Sequence, residues 1–359
     1  MRIACIVGAR PNLIKIAPIM KELARYPGRF DPVLVHTGQH YDAKLSDVFF
    51  RDLDIPAPDH FLGVGAGTPA QQAAAIMEKF DELCVAERFD RVLVVGDVTS
   101  TFACAVSAVK RGIPVDHVEA GLRSFDRTMP EEINRIITDS ISDLLLVTEP
   151  SGVKNLLNEG HQQGQIKLVG NVMIDSLRTH LDRATTLAKW RDFGTSPRAY
   201  ALVTLHRPSN VDDLRKLQVL VSGLTAIAKQ VPVIFPVHPR TRKNLSLTER
   251  NGVLKICEPL GYLDFLSLMA SARVVITDSG GIQEETTALG VPCLTLRANT
   301  ERPITVEVGT NTLVGEQIEK VEGLLADVLE GRYKKGLVPD LWDGQASSRI
   351  VSELADMGS

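Results

Sequence analysis

Short apolar runs alternate along the chain with longer segments in which apolar residues recur every three or four positions. The runs lie at 2–8, 32–38, 91–97, 113–121, 144–149 and 166–170 in the first half. A second set follows at 199–207, 231–239, 253–259, 272–281, 291–297 and 311–315. They are nearly continuous in Val, Ile and Leu instead of alternating, the pattern of strands buried on both faces, and the segments between them have helical periodicity. The prediction is an α/β protein with two Rossmann-like domains, each a parallel sheet covered by helices.

A chain of 359 residues exceeds the usual size of one core, which agrees with two domains. The stretch GNVMIDSL (170–177) marks the boundary, giving domains 1–171 and 172–342. The tail 343–359 reads as a helix without a strand partner in its own half and is expected to pack back on the first domain. GVGAGTPAQQAAA (63–75) lacks a preceding strand and the G-x-G-x-x-G spacing, so it reads as a plain loop entering a helix.

Composition narrows the function. A net charge of −4 and a pI near 6.1 give no excess of positive charge for a nucleic-acid or membrane-surface partner. No run approaches the roughly 18 apolar residues of a membrane span, and MRIACIVGARP enters a strand pattern directly, so a cytoplasmic protein is expected. Cys5, Cys84, Cys104, Cys257 and Cys293 are dispersed and mostly sit in apolar runs, as reduced core residues do. The histidines have no metal-ligand spacing, so no metal is expected.

In parallel sheets ligands bind beyond the carboxyl ends of the strands. There the sequence places Arg10, Asp97, Glu119, His206, His238 and Ser279-Gly280-Gly281. Each has an ordinary reading alone, as a helix cap, a turn or a structural histidine; their joint occurrence on one edge points to a lined cleft between the domains. Gly280 and Gly281 open a helix after the run at 272–281. Glycines there admit close backbone approach, and free N–H groups at a helix start hold an anion such as diphosphate. Of the neighbouring Glu284 and Glu285, one suits two vicinal ribose hydroxyls and the other the positive end of the helix dipole. Arg302 follows the next strand and is a candidate for neutralising phosphates. Arg10 and Lys15 flank Pro11 near the start of the first helix, where cations suit a phosphorylated substrate or simply an exposed surface.

GARPNLIKIAPI (8–19), GD (96–97), HVEAGLRS (117–124), PEEINR (130–135), HRPSN (206–210), TDSGGIQEE (277–285) and RANTERP (297–303) together resemble the non-hydrolysing UDP-N-acetylglucosamine 2-epimerases, over nearly the whole chain. The resemblance implies GT-B architecture with the active site in the interdomain cleft and an isomerase without cofactor. Such enzymes interconvert UDP-N-acetylglucosamine and UDP-N-acetylmannosamine through a 2-acetamidoglucal for surface polysaccharide synthesis. It implies Asp97, Glu119, Glu131 and His206 as catalytic groups. Arg10, Lys15, Arg135, Phe265, Ser279, Gly280, Gly281, Glu285 and Arg302 fall on its substrate-binding positions, and a homodimer is the family expectation. Ala9, Asn12 and Ser209 depart from the motifs, leaving Arg10, Pro11, Lys15 and His206 in place. Gln39-His40-Tyr41-Asp42 keeps only the first two residues of the stretch through which many bacterial members bind an activating second UDP-sugar. Three other readings stay open: an epimerase of a modified UDP-sugar such as a 2,3-diacetamido uronate, a GT-B glycosyltransferase, and a catalytically silent UDP-sugar sensor. The carboxylates at 97, 119 and 131 weigh against the last two.

Overall fold

A computed structural model describes residues 1–38, 43–211, 213–237, 254–315 and 317–357; His238 and the stretch 39–42 lie outside them. The chain forms two compact units, Met1–Ser176 with Asp340–Ser359, and Leu177–Pro339.

The first unit is built on strands β1 (Arg2–Val7), β2 (Asp31–His36), β3 (His60–Phe61), β4 (Arg91–Val95), β5 (Val115–Ala120), β6 (Leu144–Val147) and β7 (Ile166–Leu168). They run parallel in the order β3-β2-β1-β4-β5-β6-β7. In the second, β8 (Ala201–Thr204), β9 (Val233–Pro236), β10 (Leu254–Cys257), β11 (Val274–Thr277), β12 (Cys293–Thr295) and β13 (Asn311–Leu313) run parallel in the order β10-β9-β8-β11-β12-β13. Every run read as a strand contains one, trimmed at its polar ends where the backbone turns into loops. The edge strand β3 is too short to announce itself in the sequence. In both sheets the chain works outward to one side and then returns to the other. The order therefore reverses between β1 and β4, and again between β8 and β11, and such reversals leave a crevice at the carboxyl ends of the strands.

Central strand residues are fully buried: Ile3, Cys5, Leu93 and Val94 in the first sheet, Leu202, Val203, Val275 and Ile276 in the second. At about 1.5–3 kcal/mol for each large apolar side chain removed from water, these strands anchor the units and hold the loops at their ends. No helix among the described residues is long and apolar enough to cross a membrane.

Two local arrangements show how the first unit is closed. The helix Arg10–Leu23 starts with Pro11, which needs no N–H partner, and also contains Pro18. Pro18 cannot donate to the carbonyl four residues earlier, that of Ile14; the Ser176 hydroxyl donates there instead, at 2.5 Å. The C-terminal helix Ala346–Asp356 is capped from a distance. Asp175 accepts from the backbone N–H groups of Ala346 (3.1 Å) and Ser347 (2.7 Å) and from the Ser347 hydroxyl (2.7 Å). Burial raises the Asp175 pKa against these donors. Just before this helix, the buried Trp342 donates to the Thr148 carbonyl. The helix contacts Arg10–Leu23 and so belongs to the first unit. The Gly-rich stretch at 63–68 leads into the helix Pro69–Ala86, whose first N–H groups meet Thr68 and Gln71 in a capping box.

Replacing Asp175 by Ala leaves three donors at the start of the last helix unanswered. A loss of about 1–3 kcal/mol is expected, with hydrogen exchange rising first over 346–356; unchanged exchange there refutes the remote cap.

Candidate active site

In the first unit the candidate residues gather around the carboxyl ends of β1, β4 and β5. Asn12, in the first turn of its helix, ties two of these ends together. Its Oδ1 accepts from the Ala9 N–H (3.1 Å), while its Nδ2 donates to the Val95 carbonyl (2.7 Å). A carboxylate at position 12 has no donor for the second bond, so the departure from the family motif has a structural use here. Glu119 sits where the β5–β6 register shifts, with φ of 73°. That conformation is strained for a residue other than glycine, and such strain is kept where surroundings enforce it. The enforcement is visible: the buried Glu119 carboxylate is ion-paired with the buried Lys15 ammonium. Gly96 leaves the space for this pair, since a Cβ there would lie 2.7 Å from Lys15 Nζ and 3.1 Å from Glu119 Oε2.

Asp97, partly exposed, accepts from Arg135 Nη1 at 2.5 Å, and its backbone carbonyl accepts from Asn134 Nδ2 at 2.8 Å. Arg135 also binds Glu132 (2.7 Å), which accepts from Ser124 and Phe125 as well. Burial opposes ionisation of Glu132, but these donors hold its pKa below the ordinary carboxylate value. Glu131, its neighbour, is exposed and takes no hydrogen bond or ion pair among the described residues. The Arg10 guanidinium lies 5.7 Å from the centre of the Phe49 ring.

A second layer lies beneath. His117, fully buried, bridges Asp139 Oδ1 (2.6 Å from Nδ1) and the Gly96 carbonyl (2.8 Å from Nε2). Asp139 also accepts from the Gly121 N–H (3.0 Å) and pairs with Arg123 (2.7 Å). Burial works against the Asp139 charge, yet His117 and Arg123 hold its pKa down. This layer fixes Gly96 beside Asp97 and Gly121 beyond Glu119.

In the second unit, Asp278 organises the carboxyl ends of β8 and β11. It is fully buried and accepts from the N–H groups of His206 (3.1 Å) and Arg207 (3.0 Å), from Asn210 Nδ2 (2.9 Å) and from His206 Nδ1 (2.9 Å). Despite burial, these donors lower its pKa. The His206 side chain is 61% exposed. With Nδ1 held by the carboxylate, Nε2 is left to meet a ligand.

The helix Gly280–Leu289 begins after Ser279, and its buried positions are polar from Gln283 to Thr287. Gly280 has no room for a side chain, because a Cβ would strike the Arg302 guanidinium and come within 2.8 Å of Glu301 Oε1. Arg302 itself is buried, paired with Glu301 (2.5 Å) and lying 2.9 Å from Glu284 Oε2 as an ion pair without hydrogen-bond alignment. Glu301 also binds Arg297 (2.6 Å). Glu284 therefore faces a cation within the protein, where the dipole alone had been the sequence reading. Glu285 is different. Only 2% exposed, it accepts from the Tyr262 hydroxyl at 3.0 Å, and burial raises its pKa to about 7 against that bond. Phe265 is half-buried one turn beyond Tyr262 on the helix Tyr262–Ser271.

Comparison with known proteins places this geometry. Residues 21–355 match the UDP-N-acetylglucosamine 2-epimerase family. The chain belongs to that family. It is 40% identical to the UDP-N-acetylglucosamine 2-epimerase of Methanocaldococcus jannaschii, over 98% of each chain. It is 39% identical to the UDP-2,3-diacetamido-2,3-dideoxy-D-glucuronate 2-epimerase of Pseudomonas aeruginosa, over 99% of this chain and all of that one. Its structure matches the M. jannaschii UDP-GlcNAc 2-epimerase in complex with UDP-GlcNAc and UDP with a TM-score of 0.90, covering 99% and 100% of the two chains. The Neisseria meningitidis UDP-GlcNAc 2-epimerase bound to UDP-GlcNAc matches at 0.91 with 30% identity and the same coverage.

Sequence reasoning passed over Asp278, Tyr262, Glu132 and Asp139. Asp278 stood inside a quoted motif, but nothing local marks which loop it holds. Lys15, read as a phosphate ligand, is ion-paired with Glu119, and Arg302, read likewise, with Glu284 and Glu301.

Asp139 and Asp278 have folded pKa values below the ordinary carboxylate value of about 4. Their stabilisation is complete above that value and is lost as pH falls through the lower folded pKa. In urea unfolding from pH 7 to 3, Asp139→Asn and Asp278→Asn are expected to start less stable than the wild type and to lose less on acidification; parallel curves contradict this.

Proposed function

We propose that this chain is a UDP-N-acetylglucosamine 2-epimerase, interconverting UDP-N-acetylglucosamine and UDP-N-acetylmannosamine by elimination and re-addition of UDP. Each unit supplies one observation in support of the reading. One has carboxylates held by cations, Glu119 by Lys15 and Asp97 by Arg135. The other has a helix start after Ser279 without a side-chain cap, and Asp278 beside it holding His206, with a nearly buried carboxylate at Glu285.

The chemistry follows from the substrate. The C2 proton of the sugar is not adjacent to a carbonyl, so its removal requires the C1–O bond to break and C1 to gain positive character. A carboxylate takes the C2 proton, the C–H electron pair forms the C1=C2 double bond, and the C1–O pair departs with UDP. Protonation of C2 on the other face and attack of the UDP oxygen on C1 complete the inversion. Asp97, Glu119 and Glu131 are assigned to the ring, where carboxylates stabilise a cationic C1 and move the proton. Ser279, Gly280, Gly281 and His206 are assigned to the diphosphate, because helix-start N–H groups and the free Nε2 of His206 suit an anion. Phe265 is assigned to the uracil face, Glu285 to the ribose, and Arg10 to the phosphates. The reaction balances without a redox or metal partner. Cytoplasmic location and a homodimer belong to the same reading, the first supported by the five dispersed, unpaired cysteines of the sequence and the second by family resemblance.

The M. jannaschii and P. aeruginosa relatives differ in identity by a single percentage point, so a 2,3-diacetamido uronate is the second reading. A UDP-sugar series separates them, since only one substrate turns over well.

In heavy water, incubation with UDP-N-acetylglucosamine is expected to place deuterium at C2 and to produce a manno-configured anomeric signal by NMR. Asp97→Asn and Glu131→Gln are expected to suppress that exchange by about 10²–10⁴-fold while UDP binding persists. Wild-type exchange in either variant overturns its assignment.

A further inference from the structure

Glu285 is a carboxylate almost out of water with one recorded donor, the Tyr262 hydroxyl at 3.0 Å on Oε1. An ionised carboxylate has roughly four acceptor positions, and none of the others receives a hydrogen bond among the described residues. The charged groups packed nearby are engaged elsewhere. Glu284 on the same helix faces Arg302, and Asp264 on the helix of Tyr262 pairs with Lys189 at 3.3 Å. Tyr262 is itself fixed: it is 4% exposed, it stands at the first position of its helix after Gly261, and its ring meets His180 edge-on at 6.1 Å.

We propose that Tyr262 is the positioning residue for nucleotide selection: by holding one oxygen of Glu285 it aims the other at the two hydroxyls of a ribose, so that the site favours ribonucleotides over 2′-deoxyribonucleotides. The inference rests on the assignment of UDP to this unit and adds to it a residue that does not touch the ligand. A neutral Glu285 accepts these bonds poorly. Its pKa of about 7 therefore makes UDP affinity rise with pH through that region. The Tyr262 bond favours the ionised form, and its loss moves the rise to higher pH.

The test is calorimetric titration with UDP and 2′-deoxy-UDP from pH 6 to 9, using wild type, Tyr262→Phe and Glu285→Gln. Hydrogen bonds to a charged group correspond to about 10–100-fold in affinity, so wild type is expected to prefer UDP by that ratio. Tyr262→Phe is expected to weaken UDP binding about tenfold, to weaken 2′-deoxy-UDP, which keeps only the 3′-hydroxyl, less than UDP, and to shift the pH midpoint upward. In turnover, KM for the UDP-sugar rises with kcat nearly constant. Glu285→Gln removes the preference altogether and carries the comparison if Tyr262→Phe does not fold. A Tyr262→Phe protein that keeps both the UDP preference and the pH midpoint overturns the proposal, as does Glu285→Gln with full preference. Wild type that binds neither nucleotide overturns the assignment of UDP, and this proposal with it.

Discussion

A carboxylate taken out of water needs a donor within hydrogen-bond reach, and this constraint organises both sites of the protein. Glu119 is answered by Lys15, Asp97 and Glu132 by Arg135, Asp139 by His117 and Arg123, Asp278 by His206 and its loop, Glu284 and Glu301 by Arg302. The Glu119–Lys15 and Asp97–Arg135 pairs each tie the end of a strand to a helix. Removing one member leaves a buried charge uncompensated, so the pairs hold the loops far more firmly than exposed pairs of the same separation would.

The same constraint separates residues that serve the scaffold from residues left for a ligand. Glu132 has its acceptor positions filled by Ser124, Phe125 and Arg135, whereas Glu131 stands exposed beside it. Glu284 is matched by Arg302, whereas Glu285 has one tyrosine hydroxyl and a raised pKa. In both helices an adjacent pair of glutamates divides into one structural member and one with acceptor capacity to spare. Neighbouring positions on a helix point about 100° apart, so Glu132 turns to the core and Glu131 to solvent, whereas Glu284 and Glu285 are both buried and divide by the partner each one meets, Arg302 or Tyr262.

Placement comes from the sheets. The order reverses between β1 and β4 and between β8 and β11, and the strands on either side of each reversal end in Asn12's partners, Asp97, His206 and Asp278. Glycines stand against the charged pairs: Gly96 under the Lys15–Glu119 pair and Gly280 against Arg302. A methyl group at either position meets the charged ends of these side chains and would force the ion pairs to shift.

The linear chain determined the strand runs, the division into two α/β units and the polar residues just past each run, because buried parallel strands impose a continuous apolar pattern and ligand loops follow at their ends. Motif spacing brought Asp97, Glu119, His206 and the Ser279–Gly281 turn to the correct edges. It did not reveal which acid meets which base. Asp278 with His206 spans 72 positions, Asp97 with Arg135 spans 38, and Lys15 with Glu119 spans 104. Such pairings are fixed only when helices dock and the backbone is bent, as at the φ of 73° at Glu119. Local propensity carries no record of that contact, since the energy deciding it comes from desolvation in the folded state.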